Sequence, residues 1–145
     1  LFSLFVLLIS TTLFSDEPAK PVNVTDGPAI HGYDAVAFFQ DGKPVKGKKE
    51  ITHEWNGATW YFSTESNKKM FAEAPEKYAP QFGGYCAYAA SRNYIYDANP
   101  KYWKIVDGKL YLNYNADAKK EWEKDITGNV EKGNENWPNL IKPRE

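Results

Sequence analysis

Two turn signatures constrain the fold of this chain more than any other feature. Asn56-Gly57 splits the run "KEITHEWNGATWYFS", and Asp107-Gly108 splits "KYWKIVDGKLYLNYN". Both pairs suit a two-residue type I′ turn, whose central positions need positive φ, a conformation open to glycine and tolerated by asparagine and aspartate. The flanking residues have strand character. A two-residue loop at Asn56-Gly57 sets Trp55 opposite Ala58, His53 opposite Trp60 and Ile51 opposite Phe62, an apolar face interrupted only by His53. Around Asp107-Gly108, Trp103, Ile105, Leu110 and Leu112 share one face, with Lys104 and Tyr111 on the other. A further strand is expected over Val36, Phe38 and Phe39 in "IHGYDAVAFF".

The segments between and after the hairpins read as helix. In "STESNKKMFAEAPEKY", Ser63 or Thr64 is placed to cap, Glu65 lies in the first turn, Phe71 and Ala74 share a face, and Pro75 ends or bends the helix. Asn115 is placed to cap "ADAKKEWEKDI", where Ala118, Trp122 and Ile126 form a stripe and Gly128 is expected to close the helix. The following "VEKGNENWPNL" is expected to be a tail that docks through Trp137. The fold class predicted is α+β, a single domain with a small, mostly antiparallel sheet built from two hairpins and helices packed on one side. No internal repeat is expected.

Residues 1–15, "LFSLFVLLISTTLFS", have the profile of a signal peptide, and the apolar run is shorter than the roughly 20 residues of a spanning helix. Residues 16–29 read as a linker, 30–138 as the folded domain and 139–145 as a tail. A periplasmic or secreted location follows as an expectation, with membrane attachment only through an uncleaved leader. Lysine plus arginine, 18, nearly balances aspartate plus glutamate, 19, so no nucleic-acid partner is expected. Neither a nucleophile elbow, a His-Glu-x-x-His pair nor a phosphate loop occurs, which counts against hydrolase and nucleotide-dependent chemistry.

One cysteine, Cys86, stands in "QFGGYCAYAAS". In an oxidising compartment a thiol with no partner in its own chain is buried and inert, binds something, or reacts. Gly83 and Gly84 let backbone approach a ligand closely, and a helix opening after Cys86 would favour its thiolate. His31, in a loop-like stretch, is free to reach a site, whereas His53 among aromatic residues and Met70 read as core. Asp34 reads as a turn cap.

The run "WNGATWYFSTESNKKMFAEAPEKYAPQFGGYCAY", with "HGYDAVAFF" and "IVDGKLYLNYN", resembles the exported YHS-domain proteins of bacteria, over roughly Ile30 to Pro138. Short YHS domains carry two cysteines that are thought to hold a metal; here Ser63 and Asn67 stand at those positions, so that site does not transfer. Some relatives of the longer group are selenoproteins with selenium at the position of Cys86, which implies a redox or soft-ligand role. The lone thiol, with the metal link that the resemblance implies, points to a binding domain that holds a thiophilic, copper-like ion through Cys86 and His31, or a tyrosine hydroxyl in place of His31, beside a pocket of Tyr33, Gly83, Gly84, Tyr85 and Tyr88. Two alternatives stay open: a thiol-redox protein in which Cys86 is catalytic and works with an external thiol, and a non-catalytic partner-binding module. The functional readings further expect the Cys86 sulfur at the edge of a concavity close to His31, with the Asn56-Gly57 hairpin as its floor.

Overall fold

The structure, a computed structural model, describes residues 18–142; the expected signal segment, residues 1–15, lies outside them. Both hairpins form as their turns demand. Asn56 and Gly57 take φ of 51° and 76°, and Asp107 and Gly108 take 52° and 75°. Strand β1 (Lys48–Trp55) pairs antiparallel with β2 (Ala58–Phe62), and β3 (Asn99–Val106) with β4 (Lys109–Asn113). The α+β class holds, and each hairpin is a separate two-stranded sheet among the described residues.

The second hairpin has the expected register, with Trp103 opposite Leu112 and Ile105 opposite Leu110. In the first, Trp55 faces Ala58 and His53 faces Trp60, but an irregularity between Lys48 and Thr52 puts Lys48, not Ile51, opposite Phe62. The extra residues bend β1 where Gly47 lies against the Tyr61 backbone, a contact a β-carbon would block.

The strand expected over Val36 to Phe39 is instead the helical turn α1 (Ala37–Gln40). Asp34 decides this, because its Oδ1 accepts from the Val36 and Ala37 amides at 2.9 and 3.2 Å and satisfies donors that a helix start leaves free. Helix α2 (Glu65–Glu73) is capped by Thr64, whose hydroxyl accepts from the Asn67 amide. Pro75 opens α3 (Pro75–Tyr78) as its first residue. Helix α4 (Ala87–Ser91) follows, and Asn115 caps α5 (Ala116–Glu123) as expected. Gly128 does not close that helix. It lies in the first turn of α6 (Ile126–Leu140), where its amide donates to Asp125 Oδ1 at 3.0 Å. The presumed tail is therefore helix, and Trp137 docks it 6.1 Å from the rings of both Phe82 and Tyr85.

The β3–β4 hairpin divides the core by the alternation of β4. Leu110 and Leu112 pack with Ile30, Phe38, Trp60 and Phe71, while Tyr111 packs with Phe82 and Trp122 beneath α4, α5 and α6. Each fully buried large side chain of this kind stabilises by about 1.5–3 kcal/mol.

The structure also reveals an internal repeat that contradicts the sequence expectation. Pro28, Gly32, Tyr33, Ala35 and Ala37 recur as Pro80, Gly84, Tyr85, Ala87 and Ala89. The turns Ala29–Gly32 and Gln81–Gly84 share a left-handed backbone, with φ of 45° and 58° at Ile30 and His31 and 56° and 63° at Phe82 and Gly83. Each turn leads to a short helix, a type I′ hairpin and a capped helix; Phe71 of α2 corresponds to Trp122 of α5, both fully buried. The kinks that follow those helices match closely: Ala74 has φ −148°, ψ 62° and Asp125 has φ −151°, ψ 76°. The repeat is hidden in the sequence because mainly turn and cap positions are shared, while the core residues differ in size.

Candidate functional site

The left-handed turn Ala29–Gly32 lifts His31 into a cleft of about 560 Å³ between the two halves. The first half contributes Asp26, His31, Tyr33 and Lys46, and the second contributes Asp97 to Tyr102 and Tyr114. A β-branched residue at positive φ is costly, and Ile30 bears that cost immediately before His31.

Across the cleft, both oxygens of Asp97 lie against His31 Nε2, at 2.8 and 2.9 Å. A carboxylate only accepts, so Nε2 donates, and in the neutral ring Nδ1 keeps its lone pair. That nitrogen lies 3.6 Å from Asp26 Oδ2. Asp97 is itself held by Asn23 Nδ2 at 2.7 Å and by the Ala98 amide at 2.8 Å. Burial pushes the Asp97 carboxyl upward, but the hydrogen bonds from Asn23, His31 and Ala98, joined by the charge of His31 when the ring is protonated, outweigh it and hold the group below its ordinary value. Lys46 places its ammonium 5.2 Å from the centre of the Tyr33 ring.

Cys86 is elsewhere. It is 2 % exposed and lines none of the described cavities, which corrects the expectation of a thiol at the edge of a concavity beside His31. It precedes the first turn of α4, as expected, and its Sγ donates to Asn113 Oδ1 at 3.5 Å. Burial raises the thiol pKa, and the nearby amides of Ala89, Tyr114 and Tyr88 offset this only in part. The Cys86 amide donates to Tyr96 O at 2.9 Å, which packs the segment leading to Asp97 against the cysteine backbone. The Asn56-Gly57 hairpin borders a different cavity.

The other expected pocket residues are dispersed. Tyr33 lines the cleft, whereas Tyr85 is buried and donates its hydroxyl to Lys20 O at 3.1 Å. Gly84 lies behind the cleft, its carbonyl accepting from Asn23 Nδ2 at 3.3 Å, and Gly83 lies against Pro21. Tyr88 is half-buried beneath the Arg92 guanidinium. Sequence reasoning missed Asp97, Asn23 and Asp26, because each sits in an irregular segment whose only cue is a turn-forming residue type.

Asp34, Ser63 and Asn67 converge in the first half. The fully buried Asp34 Oδ2 accepts from the Ser63 amide at 2.8 Å, Ser63 Oγ at 2.7 Å and Asn67 Nδ2 at 2.9 Å. The positions that the resemblance equates with metal-holding cysteines are thus adjacent, and a closed hydrogen-bond network fills the space between them. Among the described residues no group of three or more His, Cys, Asp and Glu is arranged to hold a metal ion. Neither Cys86, buried and outside the cavity that holds His31, nor the Asp34 network fits such an ion. The imidazole and carboxylate of His31 and Asp26 are ion-ligating types and face a shared opening.

A family model described as the YHS domain matches residues 36–82, which span α1 through α3 and the first two residues of the second left-handed turn. This supports a YHS-domain protein and places the match almost wholly in the first half of the repeat. Neither a curated protein nor a solved structure matches the chain.

Proposed function

We propose that this chain is a small metal-binding domain whose ion is held in the cleft by His31 Nδ1 and Asp26, with Asp97 as the orienting residue. The observation that carries the reading is the two-oxygen grip of Asp97 on His31 Nε2, the carboxylate–imidazole arrangement that fixes the tautomer and orientation of a ligating histidine. The 3.6 Å gap between Nδ1 and Asp26 Oδ2 spans an ion at ordinary bond lengths of about 2.0–2.1 Å with an angle of about 120°. Water or a partner group would supply the other ligands. Copper remains the ion proposed, in its divalent form, because imidazole and carboxylate suit Cu(II) and that ion binds such sets most tightly in its series. The YHS likeness is compatible with a metal-linked role, and export supplies the setting.

Cu(II) titration of metal-free protein followed by calorimetry tests this. His31→Ala is expected to weaken binding at least tenfold and Asp97→Asn about tenfold or more, while Cys86→Ser leaves it unchanged. Equal affinity of His31→Ala and wild type overturns the reading. Loss confined to Cys86→Ser would return the ligand role to the thiol and require the buried sulfur to become accessible. The thiol-redox alternative has the same requirement, since peroxide must reach a sealed sulfur.

A further inference from the structure

The second left-handed turn borders its own cavity, of about 460 Å³, enclosed by the tip of the first hairpin, α3 and the end of α6. Within the repeat it sits at Gln81–Gly84 as the His31 cleft sits at Ala29–Gly32, but Gly83 stands where the first half has histidine. The chemistry of the wall changes accordingly. Three indoles, Trp55, Trp60 and Trp137, line it together with Phe82 and Pro80, and among the described residues Glu76 is its one charged lining residue.

We propose that this groove is a second binding site, selective for organic cations of the quaternary-ammonium class. Three observations converge. First, Trp60 and Phe82 are buried and form a fixed floor, whereas Trp55 and Trp137 are half-buried and keep surface open to the groove. Second, the Trp60 indole N–H is already spent on Trp55 O at 3.1 Å, so that ring offers π surface and no free donor, which suits a methylated cation better than a hydroxyl-rich ligand. Third, the exposed Glu76 carboxylate has no salt-bridge partner among the described residues, leaving a negative charge on an otherwise uncharged wall.

The fit follows from solvation. A quaternary ammonium group donates no hydrogen bond and sheds water more readily than a primary amine, so indole surface and one carboxylate replace its hydration. The volume lies in the range of small-molecule sites and accommodates such a headgroup with one attached ring or chain. The left-handed backbone at Phe82 is strain of the kind that accumulates at ligand sites, and here it holds the Phe82 ring against Gly133 and near Trp137.

The test is titration of the full chain with benzyltrimethylammonium chloride, monitored through the indole N–H signals in two-dimensional NMR. Sodium chloride at matched ionic strength and a neutral disaccharide serve as comparison ligands. Saturable shifts confined to the Trp55, Trp60 and Trp137 signals are expected, with at least fivefold weaker binding in Glu76→Gln and in Trp137→Leu. His31→Ala should bind the cation as wild type does, which separates this site from the metal cleft. Trp137→Phe keeps an aromatic face and is expected to retain most of the affinity, so a loss in Trp137→Leu alone is not misread as misfolding. Absence of saturable shifts, shifts equal to those from sodium chloride, saturation by the disaccharide instead, or indifference to Glu76→Gln would each overturn the proposal.

Discussion

Asp34 and Cys86 occupy the same place in the two halves of the chain. Each follows a Gly-Tyr pair, stands before a short helix, and donates its amide to a carbonyl upstream of the next hairpin, Val45 O at 2.8 Å for Asp34 and Tyr96 O at 2.9 Å for Cys86. The unpaired thiol thus stands at a position that is structural in the other half, where a carboxylate anchors the helix start. This equivalence gives Cys86 a role in the fold that needs neither ion nor oxidant.

Cys86 should therefore behave as a buried residue. Its alkylation in the native protein is expected to be slow and to accelerate when denaturant opens the fold. Rapid labelling by iodoacetamide under native conditions at neutral pH would contradict the burial.

Asp34→Ala should be among the most damaging single changes. It removes the acceptor for the Val36 and Ala37 amides, both Ser63 donors and Asn67, leaving buried groups unpaired, and a loss of about 3–5 kcal/mol is expected in denaturant unfolding. Asp34→Asn keeps one oxygen and should lose less.

The fold should weaken at both ends of the pH range. The folded-state value of Asp97 is lowered, so its contribution is present above the ordinary carboxylate range and is lost as pH falls through the folded value. Cys86 and Tyr85 are raised from 9.0 and 10.0; their contributions are complete below those values and are lost as pH rises through the folded ones. Thermal melts across pH should show Asp97→Asn flattening the acid limb and Cys86→Ala moving the alkaline limb upward.

The turn glycines can be tested directly. Gly84 has φ 81°, and an added β-carbon would overlap the Ile30 side chain, so Gly84→Ala is expected to cost about 2 kcal/mol or more. Gly57, at φ 76° in the hairpin tip, has open space around it, and Gly57→Ala should cost only the backbone strain of about 1 kcal/mol. Urea denaturation of the two variants measures the difference.

Local chemistry made much of the fold legible. Asn-Gly and Asp-Gly determine both hairpin tips, and Thr64 and Asn115 mark helix starts through hydrogen bonds to residues three positions on. Reading failed where a distant partner decides. The apolar run from Val36 to Phe39 fits strand or helix until Asp34 caps it, and Gly128 resembles a stop signal until Asp125 makes it a start. The candidate site was half legible: His31 was identified, but its partner Asp97 lies 66 residues away in an irregular segment. No local pattern announces that pairing.

The strap from Lys20 to Asn23 bears on the order in which the molecule can assemble. Its partners in the second half, Tyr85, Gly84 and Asp97, stand 61 to 74 residues further along the chain. At a synthesis rate of about 5–20 residues per second, the strap waits on the order of seconds on the ribosome before they emerge. During that interval the first hairpin and α2 can form by local contacts, and the strap has the Ile30 amide, which donates to Asn23 O, but none of its hydrogen-bond partners in the second half. Completion of the fold is thus tied to the arrival of the second half, and a chain cut short before Gly83 would lack the hydrogen bonds that tie this strap to the second half.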